Sequence, residues 1–244
     1  MEQETLTDHF KQYFTLQRAN TAELKDSVYK IRYDVYCDEL KYEKNCPKDC
    51  EKDKFDAYSH HILIKHIASG RFAGCVRLVT PPKDNLSALF PFEECCLQSV
   101  DSVKFQEIAK DGRQYIGEIS RLAVHQDFRR RKGEKNSAYG VNMHESQDIN
   151  INEQRIFPFI AVSLYLASAA IALEYHMKDV IVMMEPRLAR LLARFGIRFA
   201  KIGQEMEYHG TRAMFYIDKN MLFDNLKPEL LELFNFVSKQ IKHR

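Results

Sequence analysis

The chain has 244 residues, of which 45% are hydrophobic and 29% are charged, and its formal net charge is +2. This length allows one large hydrophobic core or two small ones, and the composition is ordinary for a globular protein in water. A net charge so close to zero argues against a general nucleic-acid coat, because proteins of that class are usually strongly basic.

The cysteines and one uncharged segment bear on redox, metal and membrane roles. The first ten residues, MEQETLTDHF, lack the basic and apolar regions of an export signal, so we interpret the six cysteines as reduced thiols in a cytoplasmic protein. A zinc site could be drawn from Cys46, Cys50 and the histidine pair at 60–61, but this spacing fits zinc ligands loosely and we expect no metal. Residues 156–173 are uncharged, and their Ala and Ser content favours a helix buried against a sheet over a membrane span.

The amino-terminal half of the chain predicts a strand, a helix, a loop and a β-hairpin. Residues 14–19 have the composition of a strand, and the capping-box pattern of Asn20 and Glu23 then opens a helix with one apolar face. Residues 41–54 are dense in charge and lack periodicity, which predicts a mobile loop of the kind that closes over a substrate. Residues 57–80 contain two β-rich runs around a turn with a glycine, which predicts a hairpin.

The carboxy-terminal half predicts further strands and helices. A loop with one or two short helices and a central strand come first, and a polar insertion follows near residues 134–155. Pro158 then opens a helix, residues 179–184 form a strand, and a further helix runs from Pro186 with Gly196 as its C-cap. The chain ends with a hairpin around residues 208–210 and a helix near 228–242. The last helix carries one apolar side, made of Leu230, Leu231, Phe234, Val237 and Ile241. It could lie on a membrane surface or a partner, but we expect it to pack on its own domain. This order of elements predicts one α/β domain over residues 1–244 with a mixed sheet.

Residues 115–133, YIGEISRLAVHQDFRRRKG, are where we place the active centre. The first part is apolar and β-favouring, which predicts a strand. Glu118 and Arg121 interrupt this strand, and buried charges are tolerated only when they are paired. The strand runs into four consecutive cations at 129–132 and then Gly133. Backbone donors followed by cations suit a substrate with a carbonyl at one end and a phosphate at the other.

The element order, with a basic loop between a central strand and a helix, resembles the GNAT acyltransferases. The resemblance implies a three-layer α/β domain with a mixed, mostly antiparallel sheet flanked by helices. In that family the loop binds the pyrophosphate of coenzyme A through backbone N–H groups at a helix N-terminus. The family motif has two small residues, and residues 130–135 match the first of them at Gly133 but not the second. This departure disfavours coenzyme A as the acyl donor.

A closer resemblance, to acyl-homoserine-lactone autoinducer synthases and long-chain N-acyl amino acid synthases, covers most of the chain. The matching residues lie in four separated segments and are Arg32 and Tyr36, Asp53 and Asp56, Arg77 in GCVRLVTP, and Glu118 and Arg121 in EISRLAV. Tyr42 stands where autoinducer synthases usually have tryptophan. The phrase EISRLAV followed by FRRR resembles most of all the acyltransferases associated with PEP-CTERM/exosortase systems, a bacterial family.

The resemblance implies transfer of a fatty acyl chain from an acyl carrier protein thioester to an amine, forming an amide. Glu118 would take the amine proton, directly or through water, and Arg121 would hold Glu118 or the acceptor. The acceptor pocket would consist of Arg32, Tyr36, Tyr42, Asp53, Asp56 and Arg77. The backbone of Leu122, Ala123 and Val124 would polarise the thioester carbonyl. The acidic carrier protein and the phosphodiester of its arm would be bound by Arg129, Arg130, Arg131, Lys132 and Gly133.

Three other functions stay open on the sequence alone. An autoinducer synthase would use S-adenosylmethionine as acceptor, and an ordinary GNAT enzyme would use acetyl-coenzyme A as donor. A non-catalytic module would use the basic loop to dock an acidic protein or nucleic acid. The charged residues are spread over four segments, which favours a pocket, so we expect a small-molecule amine and a carrier protein as partners and no nucleic acid. We expect no permanently bound cofactor, because the acyl-phosphopantetheine arm is a substrate.

Overall fold

The computed structural model describes residues 4–129 and 158–242. The predicted polar insertion at 134–155 lies outside the described residues. The first part of the chain folds as α1 (Leu6–Tyr13), β1 (Phe14–Arg18), α2 (Ala22–Arg32), β2 (Ser59–His66), β3 (Phe72–Val79), α3 (Pro91–Cys95), α4 (Ser102–Ile108) and β4 (Ile116–Val124). The second part folds as α5 (Pro158–Glu174), β5 (Asp179–Met184), α6 (Pro186–Arg194), β6 (Ala200–Lys201), β7 (Met206–Glu207), β8 (Thr211–Asp218), α7 (Lys219–Phe223) and α8 (Pro228–Lys242).

The strands form one mixed sheet in the order β1-β2-β3-β4-β5-β8-β6, and β7 also pairs with β8. Every pairing in this sheet is antiparallel except that of β4 with β5. The parallel pair runs only from Ile116↔Asp179 to Ile119↔Val182. The second half of β4, from Ser120 onward, therefore parts from β5 and leaves an opening in the middle of the sheet. The predicted mixed, mostly antiparallel sheet flanked by helices is confirmed.

One face of the sheet is covered by α1, α5 and α8. The side chains of Ile119, Leu122 and Val124 on β4 belong to this apolar layer. Helix α5 packs against β2, β3, β4 and α8, which accounts for the absence of charged residues before its last residue, Glu174. Within the described ranges no helix is both long and apolar enough to cross a membrane.

The opposite face of the sheet carries two separate apolar clusters. One contains Cys75 and Ala123 beneath α2, and the other contains Val79, Ile116 and Ile181 beneath α3 and α4. Two clusters on one face leave a strip between them where polar groups can lie. Arg32 lies over the ring of Tyr29 in the first cluster and Arg77 over the ring of Phe55 in the second, so these two predicted site residues lie between the clusters.

Helix α2 begins and ends differently from the prediction. Its N-cap is Thr21 and not Asn20, because the Thr21 hydroxyl accepts a hydrogen bond from the backbone N–H of Leu24 at 3.3 Å. The chain then continues past Arg32 as a π-helical turn over Tyr33–Glu39. A π-turn widens the helix, and such turns are frequent at functional sites.

The carboxy-terminal helices follow the sequence more closely. Gly196 has φ +91°, and a Cβ there would lie 2.1 Å from the carbonyl oxygen of Asn225, so its prediction as the C-cap glycine of α6 is confirmed. The apolar side of α8 packs on α1, α5 and β1. The prediction was wrong for one residue of that side, because Leu231 is 41% exposed and Leu233 is buried instead.

The cysteines are not all free thiols. Cys37 at the end of the π-turn and Cys46 in the following loop form a disulfide. The prediction of reduced thiols throughout was therefore wrong for this pair, because residues nine apart in sequence are brought together by the turn between them. The candidate zinc ligand Cys46 is used by this disulfide.

Candidate active site

Three arginines meet the carboxylates of the loop before β2. Arg32 and Arg77 are completely buried, and both donate to the same Oδ1 of Asp56, at 2.7 Å and 2.8 Å. Arg77 also donates to Asp53 at 2.5 Å, and the Nε of Arg32 donates to Glu51. The two arginines hold the pKa of Asp56 far below its usual range despite burial, so this carboxylate stays ionised.

The local sequence fixes both aspartates in place. Asp53 caps a short 3-10 helix, Lys54–Tyr58, and its Oδ1 accepts a hydrogen bond from the N–H of Phe55 at 2.9 Å. In turn, the Oδ2 of Asp56 accepts a hydrogen bond from the N–H of Asp53 at 2.8 Å. This reciprocal capping box explains the spacing of the two aspartates. In Asp56 the capping bond uses Oδ2 and leaves Oδ1 to the arginines, whereas in Asp53 the same Oδ1 accepts from both Phe55 and Arg77.

Arg121 reaches the same cluster because β4 contains a bulge. In a regular strand, residues 118 and 121 would point to opposite faces of the sheet. Here Cys75 pairs with Ala123 and Arg77 with Ser120, so two residues of β4 face one residue of β3. Arg121 has φ +49°, in the left-handed region, and its side chain lies on the face that carries Glu118.

The guanidinium of Arg121 is also bound by protein carboxylates. Its Nε donates to Glu51 at 3.1 Å, and its Nη2 donates to Glu43 at 3.0 Å. The same group lies 5.6 Å from the ring centre of Tyr36. Arg121 therefore links the loop before β2, the π-turn and the central strand.

Glu118 is buried and lies outside this ion-pair network. It is 2% exposed, and its Oε2 accepts a hydrogen bond from the N–H of Phe92 at 3.2 Å. Burial raises the pKa of Glu118 to about 8, although the N–H of Phe92 and the charge of Arg77 act in the other direction. A carboxyl with a pKa in this range can accept a proton near neutral pH.

A cavity of about 290 Å³ opens in front of Glu118. Of the predicted site residues, it is lined by Tyr36, Tyr42, Asp53, Glu118 and Arg121. Arg32, Asp56 and Arg77 do not line it but lie behind Asp53: Arg77 donates to the Asp53 carboxylate, and Asp56 accepts from the Asp53 backbone N–H. The predicted catalytic pair, Glu118 and Arg121, thus lines one cavity with part of the predicted acceptor pocket. The remaining residues of that pocket lie behind the cavity wall and support it.

The residues predicted to bind the acyl donor lie next to the sheet opening. Leu122, Ala123 and Val124 form the half of β4 that parts from β5. The hydroxyl of Tyr36 donates to the carbonyl of Leu122 at 2.6 Å, and burial raises the pKa of this phenol, so it stays a neutral donor. Donor binding by these backbone groups stays a prediction.

Of the four consecutive cations at 129–132, the structure describes only Arg129. Arg129 is 5% exposed, and its guanidinium forms an ion pair with Glu39 of the π-turn. It is therefore packed inside the protein and is not a solvated member of a cation run. Arg130, Arg131, Lys132 and Gly133 lie outside the described residues, so their predicted role is untested.

Sequence reasoning missed six residues that form the site. One, Glu51, is buried in the ion cluster; the others line the cavity and are Glu43, Cys95, Tyr208, His209 and Arg212. The imidazole of His209 stacks on the ring of Tyr42 with 4.6 Å between centres and 17° between planes. Two glutamates in a charge-rich loop and a Tyr-His-Gly turn carry no periodic signal, so only the tertiary structure reveals them.

Comparisons with known proteins agree with this architecture. A family model described as Acetyltransferase (GNAT) domain matches residues 31–137. The structure of TofI in a ternary complex with an inhibitor and MTA is similar over 89% of this chain and 98% of its own, with 18% identity and a TM-score of 0.56. A search of curated proteins gave no match.

Two further solved structures share the fold at low identity. BjaI, a CoA-dependent acyl-homoserine lactone synthase with SAM and isopentyl-CoA, has 16% identity and a TM-score of 0.58 over 92% of this chain and 89% of its own. FeeM, an N-acyl amino acid synthase from uncultured soil microbes, has 12% identity and a TM-score of 0.58 over 89% of this chain and 97% of its own. The chain therefore has the GNAT fold, and the region matched by the family model, residues 31–137, includes both Arg32 and Arg121.

Proposed function

We propose that the chain is an amide-forming acyltransferase that moves a fatty acyl chain from an acyl carrier protein thioester to the amine of an amino acid or a similar acceptor. The observation that carries this proposal is Glu118, a buried carboxyl with a raised pKa at a cavity beside the sheet opening. The match to a GNAT acetyltransferase domain supports the same class of reaction.

The charge of the site favours an acceptor that arrives as an ammonium ion. The ion cluster sets three arginines against four carboxylates, namely Arg32, Arg77 and Arg121 against Glu43, Glu51, Asp53 and Asp56. These seven groups have a formal charge of −1, and the carboxylates of Glu43 and Asp53 line the cavity, where they attract a cation. Glu118 in the same cavity can then take the proton that makes the amine nucleophilic.

The reaction follows from this proton transfer. The neutral amine attacks the thioester carbonyl, a C–N bond forms, and the C–S bond breaks. The thiol of the carrier arm leaves with a proton, so the products are an amide and a free thiol. Backbone N–H groups of residues 122–124 are our proposed donors to the oxyanion that forms in between.

The other face of the sheet offers apolar surroundings for an acyl chain. A small cavity of about 30 Å³ lies there between α5, β5 and β8, and it is lined by apolar residues such as Ile119, Val180 and Ile217 together with Lys178, Asp218 and Lys219. Ile119 borders both this cavity and the one in front of Glu118. A fatty acyl chain that enters this apolar layer would have to widen the cavity in order to fit.

The sequence of the basic loop supports a carrier protein, and not coenzyme A, as the carrier of the acyl group. Residues 130–135 lack the second small residue of the coenzyme A motif. EISRLAV followed by FRRR resembles the PEP-CTERM/exosortase-associated acyltransferases, which supports a bacterial enzyme. A donor of this kind would place the enzyme in the cytoplasm.

An autoinducer synthase is the second candidate, because the fold is similar to that of BjaI with SAM and isopentyl-CoA. Its acceptor would be S-adenosylmethionine. Tyr42, which stacks on His209, stands where those enzymes usually have tryptophan.

One experiment separates these candidates. The purified protein would be incubated with medium- and long-chain acyl carrier proteins or acyl-coenzyme A, each with amino acids or with S-adenosylmethionine, and the products would be identified by mass spectrometry. We expect N-acyl amino acids from the carrier-protein donors. An acyl lactone as the main product would support the second candidate, and no acylated product from any combination would refute both.

A further inference from the structure

Arg212 differs from the other arginines of the site. It lies on β8 and lines the cavity in front of Glu118. Its Nη2 donates to the carbonyl of His209 at 3.4 Å, while its Nε is buried and has no hydrogen-bond partner among the described residues. Within residues 4–129 and 158–242, Arg212 forms no ion pair with a carboxylate. A guanidinium that is partly shielded from water and lacks an anionic partner is costly unless a ligand supplies one.

The other three arginines of the site are poorly placed to bind an anionic group of a ligand. Arg32, Arg77 and Arg121 already bind protein carboxylates, and the carboxylates outnumber them. A substrate carboxylate placed among them would have to displace one of these carboxylates and would add to a net negative charge. The sequence led us to expect an acceptor pocket built from Arg32 and Arg77, and the structure shows them buried behind Asp53 instead.

The surroundings of Arg212 hold it at the cavity. Residues at 212 and 214 of β8 point to the same face of the sheet, and Met214 belongs to the apolar cluster of the face that carries Glu118. The turn between β7 and β8 is held in place by a ring contact, because His209 of this turn stacks on Tyr42. Among the described residues, the cavity is thus lined by the loop carboxylates Glu43 and Asp53 and by Arg212 of β8, which has no carboxylate partner there.

We propose that Arg212 binds the carboxylate of an amino-acid acceptor, whose ammonium group is attracted to the carboxylates that line the same cavity. This inference rests on the proposed function and deepens it by assigning the residue that binds the carboxylate of the acceptor. Guanidinium and carboxylate form paired, charge-assisted hydrogen bonds, which gives orientation as well as affinity. Such a contact would present the amine to Glu118 in one defined direction.

Matched acceptors test this role directly. We would measure kcat/KM for phenylalanine against phenethylamine and for leucine against 3-methylbutylamine, pairs that differ only in the carboxylate. The wild-type protein should prefer the acids by about 10- to 100-fold, the range expected for hydrogen bonds to a charged group. In Arg212→Met and Arg212→Gln this preference should fall towards one, mainly through a higher KM for the acids.

The control variant is Arg198→Met, which removes an exposed arginine that does not line the cavity. It should keep the wild-type preference, and thermal denaturation would confirm that all variants are folded. If amide forms but the Arg212 variants keep the wild-type preference, or lose activity equally with both members of each pair, the inference is wrong and the proposed function stands. A wild-type protein that uses the acids and the amines equally would overturn the inference in the same way. If the wild-type protein makes no amide with any acceptor, the proposed function fails and the inference fails with it.

Discussion

Replacing Glu118 with glutamine should lower turnover and at the same time raise the stability of the fold at neutral pH. Both effects come from burial of the carboxyl, which is 2% exposed. Glutamine has nearly the same shape and keeps an oxygen that can accept the bond from Phe92. It cannot take a proton from an amine, and loss of a general base typically lowers the rate by about 10²- to 10⁴-fold.

The change in stability follows from the pKa of Glu118. Burial raises this pKa from 4.5 to about 8, so between these values the folded protein holds a proton that the unfolded chain has lost. Wild-type stability therefore falls as the pH rises through this window, by about 1.4 kcal/mol per pH unit. The cost is about 3 kcal/mol near pH 7 and approaches about 5 kcal/mol above pH 8. The glutamine variant has no such cost, so it should be the more stable protein at neutral pH and equal to wild type below about pH 4.

The pH dependence of the rate gives a second measure of the same group. With a pKa of about 8, only about a tenth of Glu118 is ionised near pH 7, so the ratio of wild-type to variant kcat/KM should rise with pH and level off above about 8. The ratio is used because the acceptor amine also titrates, and it does so equally in both proteins.

The assay pairs guanidinium denaturation with acyl-transfer rates, both measured across this pH window. Glu107→Gln, which changes an exposed glutamate of α4, is the matched control and should alter neither quantity. Wild-type turnover in Glu118→Gln would refute the general-base role. A variant less stable than wild type near pH 8 would refute the reasoning from burial.

Two further predictions concern the support of the site. Asp56→Asn weakens the ion pairs of two buried arginines, and we expect unfolding free energy to drop by about 3–5 kcal/mol in denaturant titration; a loss below about 1 kcal/mol would show that these arginines do not depend on it. Cys37→Ser opens the loop to Cys46, and loop-closure entropy predicts a loss of about 2.5 kcal/mol. A reductant should lower the melting temperature of the wild type but not of this variant, and an equal response of both would contradict the disulfide.

The parts of the fold and site that the sequence predicted are those set by local rules. The spacing of Asp53 and Asp56 is that of a capping box, and the structure forms this box. Gly196 follows an amphipathic helix, and only a glycine fits the left-handed conformation found there. The strands predicted from β-rich runs at residues 14–19 and 179–184 also formed, since such runs cannot form amphipathic helices.

The parts that were missed depend on contacts between distant segments. Glu51 is one of several acidic residues in a charged loop, and only the buried position of Arg32 distinguishes it. Arg212 matters because it lacks a carboxylate partner among the described residues, which no property of its own strand can reveal. Thr21 and Asn20 are both good N-caps, and the choice between them depends on where the helix meets the sheet.

The bulge in β4 links the two halves of the proposed reaction. It lies at Arg121, directly after Ser120, where the pairing of β4 with β5 has already ended. A bulge increases the local twist of a strand and re-aims a side chain, so the same distortion can turn Arg121 towards the acceptor cavity and separate β4 from β5. A non-glycine residue with φ +49° costs roughly 1–3 kcal/mol, and the ion pairs of Arg121 with Glu43 and Glu51 help to hold it there. The strain therefore lies at the point where the amine and the acyl carbonyl would have to meet.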